Sequence, residues 1–115
     1  MPHNHEILED MREPVRQLRA VIPDVFTAYV DMRRAVMTDG ALPGRIKELI
    51  ALAIAVTREC DGCIASHARG AVRQKATPEE VAEAMGVTIL MNGGPGTVWG
   101  PRALEAYREF AAAPG

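Results

Sequence analysis

The sequence predicts an all-α fold of about six helices. Apolar residues recur at helical spacing along the chain, and no stretch alternates apolar and polar residues as a half-buried strand would. The apolar fraction of 48% is carried by Ala, Val, Ile, Leu and Met, with only one Trp, two Tyr and two Phe. That composition favours helices over strands. With 115 residues and no internal repeat, residues 1–115 are predicted to form a single domain around one core.

The first two predicted helices are separated by Pro23. Apolar positions from 7 to 22 follow helical spacing, and Pro14 must either start the regular part of this helix or kink it. A second apolar stripe runs along one helical face from 25 to 37, and Gly40 ends that helix. Both helices are therefore expected to be amphipathic.

The third predicted helix begins near Pro43 and continues through Val56. It is apolar nearly all round, so it is expected to be the central, buried helix. Its uninterrupted apolar run, residues 49–56, is far shorter than the roughly 20 residues that a membrane span needs. Residues 57–62 break the pattern and small residues recur after them, so a fourth helix is predicted to begin close to Cys60.

The last two helices have clear boundary signals. Thr77-Pro78-Glu79-Glu80 supplies an N-cap Thr, a Pro at the first helical position and a Glu that can reach back to the cap. Asn-Gly-Gly-Pro-Gly at 92–96 stops the fifth helix, and without a preceding strand this segment does not fit a dinucleotide-binding loop. The sixth helix carries three aromatic residues that are expected in the core or at a subunit interface: Trp99, Tyr107 and Phe110.

Charge and the N-terminal sequence limit the class of protein. Thirteen basic and fifteen acidic residues are interspersed and give a net charge of −2, which is not the electrostatic footprint of a nucleic-acid-binding protein. Residues 1–6 have neither a basic region nor an apolar region, so they do not resemble a secretory signal, and a cytoplasmic location is predicted. His3 and His5 are expected to lie in a mobile terminus without a metal.

Two thiols three residues apart, Cys60 and Cys63, are the strongest chemical signal. Structural disulfides are rare in a reducing compartment, so their proximity needs another explanation. On a first helical turn the two sulfurs come within disulfide reach, and the positive end of the helix favours thiolate over thiol. The pair is therefore a candidate redox-active dithiol.

Two further residues complete the candidate site. His67 follows Cys63 by four residues and shares its helical face, so its imidazole can accept the thiol proton. Glu48 lies within the apolar third helix, where a carboxylate needs a hydrogen-bonded partner. If the third and fourth helices form an antiparallel hairpin, Glu48 can face His67 or the thiols. Taken alone, Glu48 can also be read as a solvated residue beside Lys47.

Glu48 followed by Cys60-x-x-Cys63-x-x-x-His67 resembles the alkylhydroperoxidase D-like (AhpD-like) branch of the carboxymuconolactone decarboxylase family. The resemblance runs from about 42 to 110 and includes the Leu42-Pro43 entry to the third helix and the Gly-rich break at 93–96. It implies an AhpD-like helical bundle, assembly into homo-trimers or homo-hexamers, and reduction of hydroperoxides or protein disulfides without a bound cofactor or metal. An unidentified thiol or disulfide reductant would be the partner.

The resemblance also implies a role for each residue. Cys63 would attack the peroxide and pass through a sulfenic acid, and Cys60 would close the disulfide. Glu48 and His67 would form the proton relay. Some members of the family place His or Tyr between the cysteines, where this chain has Gly62, so a modest peroxidase rate is expected.

Other interpretations of the same residues remain open. The family also includes lactone decarboxylases, which act by acid-base chemistry and do not need a dithiol. The four residues Glu48, Cys60, Cys63 and His67 are all accepted zinc ligands, so a non-catalytic zinc-binding or redox-sensing helical module is a further alternative. The cysteines can also be inert, buried side chains. A c-type haem does not fit, because Ile64 rather than His follows Cys63.

Overall fold

The structure is a computed structural model that describes residues 3–113. It contains six helices and, within those residues, no strand, which confirms the predicted all-α fold. The helices are α1 (His3–Val21), α2 (Pro23–Met37), α3 (Gly44–Thr57), α4 (Asp61–Arg73), α5 (Pro78–Asn92) and α6 (Gly94–Ala112). Among these residues, no helix is both long and apolar enough to cross a membrane.

The core lies among α3, α4, α5 and α6. Small residues on α4 and α6 let the helices approach closely, and larger aliphatic side chains from α3, α4 and α5 fill the space between them. The largest fully buried side chains are Leu52, Ile64 and Val81. Each supplies about 1.5–3 kcal/mol of hydrophobic stabilisation. This four-helix core is the support on which the candidate site is built.

The α5–α6 connection is a single residue, Gly93, in the left-handed region with φ of 66°. Such a backbone angle favours glycine. On the next turn, a side chain at Gly96 would lie 2.7 Å from the backbone oxygen of Thr88, so glycine is required where α6 crosses α5. Thr77 and Glu80 form the predicted capping box at the start of α5.

The N-terminal residues differ from the sequence-based expectation. His3 and His5 were expected in a mobile terminus, but α1 begins at His3 and is anchored to α6. The Glu109 carboxylate accepts hydrogen bonds from the backbone N–H groups of Asn4 and His5, at 3.0 and 2.8 Å, and from both of their side chains. It thereby satisfies N–H groups that have no partner within α1. The sequence pattern did not reveal this contact because Glu109 lies at the other end of the chain.

Helix α2 has no buried residue and is held at its carboxyl end. Lys47 on α3 donates hydrogen bonds to the backbone oxygens of Val36 and Thr38, at 2.7 and 2.6 Å, which fixes the carboxyl end of α2. The apolar stripe predicted for this helix is largely exposed on the chain alone. Its exposed large side chains are Val25, Tyr29, Val30, Met32 and Val36.

Candidate functional site

The two cysteines lie at the amino end of α4 and are joined in a disulfide, with their Cα atoms 5.2 Å apart. Cys60 is the N-cap residue, and its sulfur accepts a hydrogen bond from the backbone N–H of Cys63 at 3.2 Å. Cys63 itself stands in the first turn, where unpaired N–H groups and the helix dipole stabilise negative charge. The fourth helix therefore begins at Cys60 as predicted, and the disulfide lies at this helix start.

The two sulfurs differ in their access to solvent. The Cys63 side chain is exposed, whereas Cys60 is partly buried. A small solute can approach Cys63 from outside, while Cys60 is positioned to react with its neighbour. The division of roles that the family resemblance implied, with Cys63 attacking the peroxide and Cys60 closing the disulfide, stays a prediction.

Glu48 and His67 are brought together as the hairpin hypothesis required. The Glu48 carboxylate is hydrogen-bonded to Nδ1 of His67 at 2.9 Å. Glu48 is buried at 6% exposure, which excludes the interpretation of this residue as a solvated position beside Lys47. Because Nδ1 is engaged by the carboxylate, Nε2 is the nitrogen left to exchange a proton with another group.

A tight turn between α3 and α4 produces this pairing. Only residues 58–60 connect the two helices, and Glu59 adopts a left-handed backbone angle of 53°. The backbone N–H of Cys60 donates to the oxygen of Ala55 at 3.1 Å, so the chain reverses directly after α3. Two helices joined in this way pack as an antiparallel hairpin, which aligns Glu48 with the second turn of α4.

Gly70 belongs to the site, although it was not among the residues predicted from the sequence. A Cβ atom at this position would lie within 2.7 Å of both carboxylate oxygens of Glu48. The carboxylate therefore occupies the space that a side chain at 70 would fill. A glycine one turn after His67, inside a helix, was the only sequence signal that could have pointed to it.

Helix α1 covers the segment between the cysteines. Gly62 is buried, and a Cβ atom there would lie 2.8 Å from the sulfur of Met11. The thioether of Met11 thus packs over Gly62, the position at which some family members have His or Tyr. Met11 was not predicted as a site residue, because nothing in its local sequence relates it to α4.

The side chains at the site do not form a cluster suited to a metal. Within residues 3–113, no group of three or more His, Cys, Asp or Glu side chains is arranged closely enough to hold one ion. In the oxidised state described here, the sulfurs of Cys60 and Cys63 are bonded to each other. The arrangement can carry two electrons as a dithiol, release them on forming the disulfide, and move a proton between a buried carboxylate and an imidazole.

A family model for the Carboxymuconolactone decarboxylase family matches residues 23–109. The chain belongs to this family. Its sequence relatives include an uncharacterized protein of Cupriavidus necator, 42% identical over 74% of this chain and 75% of that protein. Another is the "uncharacterized protein 4 in cox locus" of Paracoccus denitrificans, 38% identical over 75% of this chain and 78% of the relative.

The fold agrees with a solved member of the same family. The crystal structure of apo-lpg0406, a carboxymuconolactone decarboxylase family protein from Legionella pneumophila, superposes with a TM-score of 0.92 at 36% sequence identity. The match covers 96% of this chain and 99% of that one. Membership of the family, predicted from the Cys-x-x-Cys spacing and its surroundings, is therefore confirmed, and the six-helix fold is the fold of this relative.

Proposed function

We propose that the protein is a thiol-dependent peroxidase that reduces hydroperoxides through the Cys60–Cys63 pair. The observation that carries the proposal is the disulfide at the start of α4, with the Glu48–His67 pair one turn further along the same hairpin. A redox-active pair, a positive helix end and a buried acid-base pair are together the components of thiol peroxide chemistry. The same centre would also reduce a disulfide of a partner protein.

The first step is the attack of the Cys63 thiolate on one oxygen of the hydroperoxide. A sulfur–oxygen bond forms, the oxygen–oxygen bond breaks, and the alcohol leaves with a proton supplied through His67. Cys63 becomes a sulfenic acid. The exposure of Cys63 supports this role, because the attacking sulfur has to meet substrate from solution.

The second step closes the disulfide. The Cys60 sulfur attacks that of Cys63, the sulfur–sulfur bond forms, and water leaves. The hydroperoxide has then gained two electrons and the dithiol has lost two. A cellular thiol or dithiol reductant resets the pair by thiol-disulfide exchange, which fits the cytoplasmic location that we also propose.

Thiol counts test this scheme directly. The reduced protein is treated with one equivalent of cumene hydroperoxide, and free thiols are counted in wild type, Cys60→Ser and Cys63→Ser. Wild type should lose two thiols, and Cys60→Ser should accumulate a sulfenic acid on Cys63 that dimedone traps. Cys63→Ser should not react. A Cys63→Ser variant that consumes hydroperoxide as fast as wild type would overturn the proposal.

The family name favours one alternative, a lactone decarboxylase. In that reaction Glu48 and His67 would act as acid and base, and the disulfide would have no chemical role. The double variant Cys60→Ser/Cys63→Ser separates the two functions. Release of carbon dioxide from carboxymuconolactone by this variant would support the lyase, whereas loss of peroxide reduction with no lyase activity supports the peroxidase.

We also propose that the chain assembles as a homo-trimer or homo-hexamer. Besides the apolar stripe of α2, other helices carry exposed large apolar side chains, for example Ile54 on α3 and Leu90 on α5. An unpaired helix face that exposes several large apolar side chains, as α2 does, is typical of a protein interface. Association would bury the face of α2 that the chain itself leaves uncovered.

A further inference from the structure

A cleft of about 810 Å³ lies between α1, α2, α4 and the end of α6, next to the dithiol but separate from it. Its volume is that of a small-molecule site. Five arginines from three helices line it: Arg12 and Arg19 on α1, Arg33 on α2, and Arg69 and Arg73 on α4. Among its lining residues, Glu9 is the one carboxylate.

The positive charge in the cleft is largely uncompensated. Arg12 is paired with Glu9 at 3.2 Å, and both side chains are well exposed. Within the described residues, the other four arginines have no carboxylate within ion-pair distance. Burial lowers the pKa of the half-buried Arg69, and the nearby charges of Arg73 and Arg33 lower it further. Arginines gathered in this way are a typical setting for a carboxylate or phosphate group.

The cleft also has an apolar wall. Leu8 and Val15 on α1 face it, as do Val72 on α4 and Phe110 on α6. An inorganic ion would leave these side chains in contact with water. A ligand with both an anionic group and an apolar body would use both parts of the cleft.

The position of the cleft relates it to the redox centre. Ser66, which lines the cleft, lies one helical turn after Cys63 on α4. Met11 lines it as well and packs over Gly62 between the cysteines. Along α4, Arg69 stands about 9 Å beyond Cys63 at the helical rise per residue. Neither cysteine lines the cleft, so a molecule held by the arginines would reach the attacking sulfur by extending past Ser66 or Met11.

We infer that the arginine-lined cleft binds an amphiphilic organic anion with a carboxylate or phosphate head, and that the hydroperoxide substrate belongs to this class. The second part of this inference rests on the proposed peroxidase function. The anionic head pairs with the arginines around Arg69, the apolar chain lies along α1, and the hydroperoxide group reaches Cys63. The reaction is the same two-step reduction by Cys63 and Cys60 that is described under the proposed function, and its product is the corresponding anionic alcohol.

Binding is tested first, with non-reactive probes. Calorimetry compares decanoate, decyl phosphate and decanol on wild type, Arg69→Gln and Arg33→Gln, with the exposed Arg108→Gln on α6 as a matched control. Each anion should bind Arg108→Gln as tightly as it binds wild type. Each should bind the two cleft variants, Arg69→Gln and Arg33→Gln, at least about tenfold more weakly. The tighter of the two anions identifies the head group. The proposed site would be overturned if decanol bound as tightly as decanoate, or if the cleft variants bound the anions as tightly as wild type.

The substrate class is tested with linoleic acid hydroperoxide and its methyl ester. The acid should oxidise the dithiol at least about tenfold faster than the ester, and Arg69→Gln should remove that preference, whereas the control Arg108→Gln should keep both the preference and the rate with cumene hydroperoxide. Equal rates for acid and ester would refute the substrate assignment alone. If no hydroperoxide oxidises the dithiol, the peroxidase proposal fails, and the calorimetry still decides whether the anion site exists.

Discussion

Gly70 faces the carboxylate of Glu48 across the contact between α3 and α4, and no side chain could stand at position 70 without moving that carboxylate. The glycine and the acid are therefore one structural unit. Glu48 is buried beside His67 only because α4 carries no Cβ atom at this point. The geometry of the proposed proton relay depends on a residue that has no chemistry of its own.

The substitution Gly70→Ala is expected to destabilise the protein by about 1–3 kcal/mol, because the added methyl group overpacks a buried contact. Oxidation of the dithiol by hydroperoxide should slow as well, since Glu48 is displaced from His67. Urea unfolding and the thiol-oxidation rate measure the two effects. Gly86→Ala is the matched control: nothing lies within 4 Å of its Cβ position on α5. That change should stabilise the helix by about 0.5–1 kcal/mol. Equal effects of the two substitutions would contradict the packing argument.

The change Glu48→Gln keeps the size of the side chain and removes its charge. Because a neutral amide forms a weaker hydrogen bond with Nδ1 of His67 than the carboxylate does, the imidazole is held less firmly in place, and we expect thiol oxidation to slow by at least about tenfold. Stopped-flow measurement of sulfenic acid formation checks the rate, with the exposed Glu105→Gln as a control. The double variant Glu48→Gln/His67→Asn should be no slower than His67→Asn alone if the two act as one relay. A Glu48→Gln rate equal to wild type would exclude that role.

The anchor of α1 should fail in acid. Burial raises the pKa of Glu109, but the hydrogen bonds from the backbone and side chains of Asn4 and His5 outweigh it and lower the pKa from 4.5 to about 2. A carboxyl whose pKa is depressed in the folded state contributes stability above its ordinary pKa, and that contribution is lost as pH falls from about 4.5 through about 2. Hydrogen exchange of the α1 amides should therefore accelerate over this range relative to the α3 amides.

A variant separates the Glu109 anchor from general acid unfolding. Glu109→Gln should expose the α1 amides to exchange already at pH 7, and the difference from wild type should disappear as pH approaches 2. Glu105→Gln, on the exposed face of the same helix, should behave as wild type. If Glu109→Gln protects α1 as well as the carboxylate does at pH 7, the anchor is not ionic.

Association through α2 is testable by mass. Light scattering should give three or six times the chain mass of 12.5 kDa. A charge placed in the apolar stripe, as in Val30→Asp, should shift the protein toward the monomer, because burial of an unpaired carboxylate at an interface is costly. Thr27→Asp is the control: it places the same charge on α2 at an exposed position that is not part of the apolar stripe, and it should leave the mass unchanged. A monomeric wild type would refute the assembly.

Local signals in the sequence were enough to predict most of the fold. Helix periodicity, the Thr77 capping box and the break at Gly93 each act over a few residues, so six helices and their order could be read directly. The same holds for the start of α4 at Cys60. The interpretation of Glu48 as a buried partner of His67 needed only one tertiary assumption, a hairpin between neighbouring helices.

The features that escaped prediction depend on contacts between distant parts of the chain. The order of His5 requires Glu109, 104 residues away, and the packing of Met11 over Gly62 requires α1 to cross α4. The arginines of the cleft come from three helices with ordinary, mixed charge patterns. Periodicity describes which face of a helix is apolar, and it does not specify which helix meets that face.

The hydrogen bond from the Cys63 amide to the Cys60 sulfur has a practical consequence. An amide proton bonded to sulfur is sensitive to whether that sulfur is a thiol, a thiolate or half of a disulfide. The Cys63 ¹⁵N–H resonance is thus an intrinsic spectroscopic probe of the redox state. It would let the turnover of the pair be followed in an unmodified protein, and within living cells, without an added dye or label.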